Sequence, residues 1–165
     1  QNFFDTDHPV GLQGQETTVS NVQAGAGEAW MLLDLSLPLK PFIFQKRRDY
    51  NFVAKEDGKT SDEVFMKDKY VYGSDARVSA GYGFWQMAFG SKAALTPENL
   101  RAAWTAMTSF KSDNGTPLGI KPTHLVVGNG NFFTAKDILE KEVIDGSTNT
   151  NRNLVQLMNP PKFAA

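Results

Sequence analysis

Apolar and polar positions trade places in short runs along the first part of the chain and recur at helical spacing later. Trp30-Met31-Leu32-Leu33-Asp34 reads as a strand. Pro38 and Pro41 interrupt the chain before a second strand through Phe42-Ile43-Phe44. Alternation resumes at Tyr50-Asn51-Phe52-Val53 with the period of a half-buried strand. Lys55 to Glu63 is polar throughout and holds Glu56-Asp57-Gly58, so it reads as an exposed loop between paired strands. Tyr70-Val71-Tyr72 and the segment Val78 to Phe89 read as sheet. Within it, Gly81-Tyr82-Gly83-Phe84-Trp85 sets small residues between large rings, the mark of a bulge or a tight bend against a neighbour.

Helical signals follow. At Thr96-Pro97-Glu98, Thr96 can cap free amides, Pro97 suits the first turn and Glu98 suits the positive end of the dipole. Leu100, Ala103, Trp104, Met107 and Phe110 form one apolar stripe, and Asp113-Asn114-Gly115 closes the helix. His124-Leu125-Val126-Val127 reads as a buried strand closed by Gly128-Asn129-Gly130. A second helix is expected from about Phe133 to Ile144, with Ala135, Ile138, Leu139 and Val143 inward and Gly146 just past its end. Ser147 to Asn153 reads as a loop, a last strand is expected around Leu154 to Leu157, and Pro160-Pro161 stops it. Residues 1–28 are rich in Gln, Gly, Thr, Asn and Ser and read as an extended arm or loop, leaving 29–165 as one domain of mixed α+β architecture.

Composition narrows the chemistry. The 17 Lys and Arg against 18 Asp and Glu give a net charge of −1, so nothing resembles the clustered positive field that a phosphate backbone demands. The densest basic run, Lys46-Arg47-Arg48, is followed at once by Asp49 and reads as solvated charge; no specific nucleic-acid contact is expected. The absence of cysteine excludes disulfides, thiolate metal sites and a cysteine nucleophile. The apolar runs are too short for a membrane span and no signal peptide opens the chain, so a soluble cytoplasmic product is expected.

Candidate sites are few. Gly25-x-Gly27, Gly81-x-Gly83 and Gly128-x-Gly130 each lack the third glycine of a dinucleotide loop, and Lys59-Thr60 lacks the P-loop frame. Gly128-Asn129-Gly130 does sit between a strand and a helix, where an anion can meet helix amides; the plainer reading is a strand-to-helix turn. His8 after Asp5-Thr6-Asp7 offers a partial cation set, and His124 opens an apolar strand; a polar turn and a satisfied, partly buried histidine are the plainer readings. Ser91 has no nucleophile-elbow frame. The carboxylate pairs Glu56/Asp57 and Asp62/Glu63 read as solvated charge, and Asp34 and Arg77, each in apolar surroundings, are candidates to pair. Trp30, Tyr82, Phe84, Trp85 and Trp104 can stack a sugar or base but at these spacings read as core or subunit contact. No catalytic, cofactor-binding or metal-binding residue is therefore assigned, no cofactor is expected, and the chain is not read as an enzyme. The alternative is a small-molecule or carbohydrate-binding module built on the aromatic region near Trp85.

A set of longer patterns carries a resemblance. Gln1-Asn-Phe-Phe-Asp5 with His8-Pro9-Val10, Trp30-x-Leu32-Leu33-Asp34 and Lys40-Pro-Phe-Ile-Phe-Gln45 resemble the Mu-like phage or prophage major head (capsid) subunit. Tyr72-Gly73 followed by Arg77, Ala80-Gly-Tyr-Gly-Phe-Trp-Gln-Met-Ala88 and Leu118-Gly-Ile-Lys-Pro-Thr-His-Leu-Val-Val127 do the same, in the family's order across most of residues 1–151. Gly128-Asn129-Gly130 departs from the proline more usual there, and Leu154 to Ala165 departs from the pattern. The family subunit is longer, so the resemblance implies that about the first half of a full subunit, with its arm, extended loop and spine helix, precedes this sequence. It implies a mixed sheet with flanking helices, similar to the axial and part of the peripheral domain of the tailed-phage (Hong Kong-type) major capsid fold. It further implies copies of itself as partners, in hexamers and pentamers of the full-length subunit, a scaffold protein during assembly and no membrane. The location it implies is the virion head, with the host cytoplasm as the place of assembly.

Overall fold

The structure, a computed structural model, describes residues 2–57, 59, 62–144 and 146–163. Three short strands open the chain: β1 (His8–Val10), β2 (Thr17–Val19) and β3 (Val22–Gln23). Then come β4 (Trp30–Leu33), β5 (Phe42–Lys55), α1 (Asp62–Lys67), β6 (Val71–Tyr82), a 3-10 turn at Trp85–Met87 and β7 (Ala88–Ser91). The rest holds α2 (Pro97–Thr108), β8 (His124–Val127), α3 (Phe132–Glu140), β9 (Val143–Ile144), β10 (Ser147–Thr148) and β11 (Gln156–Met158). The chain divides into two compact units, residues 1–41 with 82–165, and residues 42–81.

The first unit is built on a five-stranded mixed sheet in the order β11-β8-β4-β7-β3. Its centre, β4, runs antiparallel to both neighbours, and Leu32 stands opposite Phe89 on β7 and Leu125 on β8. Side chains alternate across a strand, so Trp30, Leu32, Phe89, Leu125 and Val127 face one way. There they meet Leu100, Ala103 and Met107 of α2 and Ala135, Ile138 and Leu139 of α3 in one buried core. The opposite face carries Met31, Leu33, Ala88 and Val126, packed against a thin layer of Phe3, Phe4, Leu35 and Phe163.

The start of α2 obeys its local chemistry: the Thr96 hydroxyl accepts from the Asn99 amide at 3.2 Å and Pro97 opens the first turn. Thr96→Ala should cost about 1 kcal/mol, read as a lower urea midpoint at an unchanged slope; no change would show that the cap is idle. Gly83 marks the close approach expected of its motif, since a Cβ there would lie 2.3 Å from the Lys40 carbonyl oxygen while its own N–H donates to Pro41 O at 2.8 Å.

Several expectations are corrected. Residues 1–28 are more than an arm: His8 and Asn21 are fully buried, and β3 pairs in parallel with β7. Residues 42–81 form a second compact unit inside the stretch read as one domain. The α2 helix stops at Thr108, so Phe110 joins the core from beyond it. The α3 helix stops at Glu140, and Val143, expected inward, is 57% exposed in the two-stranded β9–β10 ladder. Glu63 belongs to α1, not to a loop, while Gly58 of the expected turn lies outside the described residues.

The second unit is a two-stranded sheet of β5 and β6 with α1 between them. What sequence spacing read as separate strands is one continuous strand of 14 residues facing another of 12. Every residue in both strands is exposed, including those read as half-buried.

Candidate assembly surfaces

The residues singled out for chemistry are absorbed by the fold. The His8 ring stacks on Trp85 at 3.9 Å with planes 3° apart, and its Nε2 lies 3.1 Å from Asn21 Oδ1. That oxygen also accepts the Asp5 N–H at 2.9 Å, and Asn21 Nδ2 donates to the carbonyls of Phe3 at 3.0 Å and Ala88 at 3.2 Å. The amide orientation is thereby fixed, and Nε2 of His8 must be the protonated nitrogen. Asp5 turns its carboxylate to the Asn2 and Thr6 amides instead of to a cation; these hydrogen bonds, Asn2 foremost, hold its pKa below the usual carboxylate value. Among the described residues, no three His, Asp or Glu side chains gather as a metal would require.

His124 places Nδ1 2.8 Å from the Thr123 hydroxyl at the start of β8. The turn before α3 receives a carboxylate from the chain itself: Gly130 N–H donates to Glu28 Oε1 at 3.3 Å, and the Asn131 side chain donates to the Glu28 carbonyl at 3.3 Å. The anion position read from Gly128-Asn129-Gly130 is thus internally filled. Ser91 Oγ donates to Gln23 Oε1 at 2.9 Å, a link between sheet strands. Asp34, 1% exposed, accepts from the Ser36 hydroxyl at 2.6 Å, the Ser36 amide at 2.8 Å and the Lys121 amide at 3.1 Å, so its carboxylate is satisfied locally and by the backbone before β8. Arg77 lies on β6 in the other unit.

The aromatic set does not converge on one opening. Tyr82 stacks on Phe3 at 4.8 Å, Trp85 is taken up by His8 and by the edge of Phe110 at 5.3 Å, and Trp30 is buried with its indole N–H on Ala93 O at 2.8 Å. Trp104 rests half-buried on the core, and Phe84 is exposed. A cleft of about 390 Å³ beside Trp85 is lined chiefly by β1, β2 and the residues after α2.

What the fold leaves outside is more telling. In the β5–β6 unit Phe44, Tyr50, Phe52, Phe65 and Met66 are each at least 70% exposed. Phe52 stacks on Tyr72 at 5.9 Å, and Glu56 accepts from the Tyr72 hydroxyl, which raises that phenol's pKa. Between the apolar ends lies a charged waist in which two cations are matched by carboxylates: Lys46 pairs with Asp49 at 2.9 Å and Arg48 with Asp75 at 2.6 Å. The Lys46 ammonium holds the Asp49 carboxyl below its usual pKa. Lys46-Arg47-Arg48 therefore does not present a free basic stripe. A two-stranded ribbon is marginal in water, and exposed rings on this scale mark an interaction surface. In the first unit, Phe133 at the start of α3 is 75% exposed, and an apolar cleft of about 400 Å³ opens beside β3 on the thinly covered sheet face. Sequence pattern located the strand residues Phe44, Tyr50 and Phe52 but not their exposure, because alternation reads as a buried face whether the cover lies in the same chain or elsewhere, and it did not single out Phe65 or Met66.

Comparison with known proteins agrees with such a surface. The family model described as the Mu-like prophage major head subunit gpT matches residues 1–163. The major capsid protein of Escherichia phage Mu is 41% identical over 162 residues, covering 93% of this chain and 53% of that protein. A Mu-like prophage FluMu major head subunit from Haemophilus influenzae is 44% identical over 151 residues, 87% of this chain and 49% of that protein. Among solved structures, the procapsid of bacteriophage JBD30 matches with a TM-score of 0.84 at 41% identity, over 98% of this chain and 56% of that one. The JBD30 capsid decorated with minor capsid protein trimers matches with a TM-score of 0.78 at 25% identity, over 98% and 54%. The chain thus spans about half the length of the relatives it matches.

Proposed function

Since this chain belongs to the family of Mu-like prophage major head subunits, we propose that it is the part of a shell-building subunit that contributes most of the axial domain and a strip of the peripheral domain. The reading is carried by one observation, the likeness to capsid subunits along nearly the whole chain, in sequence and backbone alike. In this reading the sheet-and-helix part of residues 29–165 is the axial body, and residues 1–28 are woven into it. The β5–β6 ribbon is peripheral and is covered in the assembled head. Copies of the full-length subunit join in rings around DNA, first in the host cytoplasm with a scaffold protein and then as the virion head. The chain works by contact, with no reaction of its own, no cofactor and no membrane. Its near-neutral charge suits a wall that faces DNA without gripping it.

The ribbon states the physical requirement. Rings such as Phe44 and Phe52 bury on the order of 150–250 Å² each when covered, and single contacts of that size summed over a shell hold it together. Light scattering and negative-stain microscopy of the full-length subunit with its scaffold should show closed shells. The double variant Phe44→Ser, Phe52→Ser should lower shell yield by about tenfold or more, since ~1.4 kcal/mol per contact already gives that factor. Permanent monomers of the unaltered subunit under all assembly conditions would count heavily against the reading. The small-molecule alternative is not favoured: a cleft opens beside Trp85, but that ring already has a face on His8 and meets Phe110 edge-on.

A further inference from the structure

A cleft of about 270 Å³ opens beside α2, lined by Arg101, Trp104, Thr105, Thr150, Asn151 and Leu154. Arg101 is exposed, yet its guanidinium is held from two sides: Nε donates to Asn151 Oδ1 at 2.8 Å and Nη2 to Thr150 Oγ1 at 2.7 Å. Both anchors come from the segment after β10, about fifty residues along the chain, so tertiary structure aims this side chain. Arg48 and Arg152 each grip a carboxylate at 2.6 Å, whereas Arg101 joins no ion pair among the described residues. Asn151 is 2% exposed; with its oxygen committed to Arg101, its Nδ2 is left without an acceptor. The cleft therefore offers the remaining N–H groups of an exposed guanidinium beside a half-buried indole, and no carboxylate is among its lining residues.

We propose that this cleft receives an aspartate or glutamate side chain from a neighbouring copy of the subunit. The inference rests on the shell-building reading above. A planar guanidinium fixed at Nε and Nη2 presents its remaining N–H groups to a carboxylate with little further loss of freedom. Tryptophan and arginine are the residue types that most often anchor interfaces. Rings are closed by heterologous contacts, in which one patch of a copy meets a different patch of the next, so a donor patch requires an acceptor patch on the same polypeptide. Exposed carboxylates away from α2 that join no ion pair among the described residues, such as Asp7 and Glu16, supply the matching charge.

The test uses the full-length subunit with its scaffold. Arg101→Gln is expected to reduce shell yield about tenfold at low salt while the melting of the unassembled subunit stays close to that of the unaltered protein. Arg101→Lys is expected to recover only part of the yield, because an ammonium cannot hold both anchors and still present a fork. Shell yield unchanged in Arg101→Gln would overturn the proposal. So would a parallel loss of yield and subunit stability, which would make Arg101 an internal staple, or a loss confined to DNA retention in normally formed shells. If the unaltered subunit never assembles, the shell-building reading falls first and takes this inference with it; if it assembles and Arg101→Gln does too, only the inference falls.

Discussion

Asn21→Leu should destabilise the sheet-bearing unit by about 4 kcal/mol or more, a large share of the roughly 5–15 kcal/mol that holds an ordinary domain together. Leucine keeps the branched shape, is somewhat larger, and makes none of the side-chain hydrogen bonds. It leaves the Asp5 N–H, the His8 Nε2–H and the carbonyls of Phe3 and Ala88 without their partner in a place where Asn21 itself is fully buried. Each orphaned group costs on the order of 1–3 kcal/mol, and a network of this kind fails together. His8→Phe is the informative control. It keeps a ring on Trp85 and gives up one hydrogen bond, so it should cost only about 1 kcal/mol. Urea unfolding with unchanged slope reads both. If the two variants cost the same, the ring stack and not the asparagine fastens the N-terminal segment.

That hub also shows where sequence reading reaches its limit. Gln- and Gly-rich composition makes residues 1–28 look like a free arm, and a single asparagine in Val19-Ser20-Asn21-Val22 carries no local sign that it will tie residues 3–8 to the start of β7. Local chemistry, by contrast, was legible. Thr96-Pro97-Glu98 opens α2 where capping demands, and the short apolar run Trp30 to Leu33 is the strand β4. The end of α3 was not legible, since Val143 and Ile144 continue the apolar spacing. The helix stops because Asn149 Nδ2 donates to the carbonyls of Ile138 at 2.7 Å and Lys141 at 2.8 Å, caps supplied from eleven and eight residues downstream. The ribbon strands were legible as strands, but their exposure was not, because alternation reads the same whether a face is covered or open. Charge and composition excluded whole classes of chemistry without pointing to assembly; the ordered family patterns supplied that.

Leu32→Ala tests which face of the sheet carries the stability. Leu32 is fully buried on the central strand, between Phe89 and Leu125, and it belongs to the core closed by both long helices. Truncation removes methyl groups from a site that rigid neighbours cannot refill, so about 3–5 kcal/mol is expected. Leu33, one residue on, points to the opposite face, where its cover is the thin layer of Phe3, Phe4 and Phe163. A loosely covered site can settle into the gap left by a smaller side chain, so Leu33→Ala should cost less, about 2 kcal/mol. The comparison is made within one strand and one side-chain type, which removes propensity and transfer terms and leaves packing. Equal losses would mean that the second face is as firmly closed as the first. A larger loss at Leu33 would place the main core on the side away from α2 and α3 and would contradict the layer order described here.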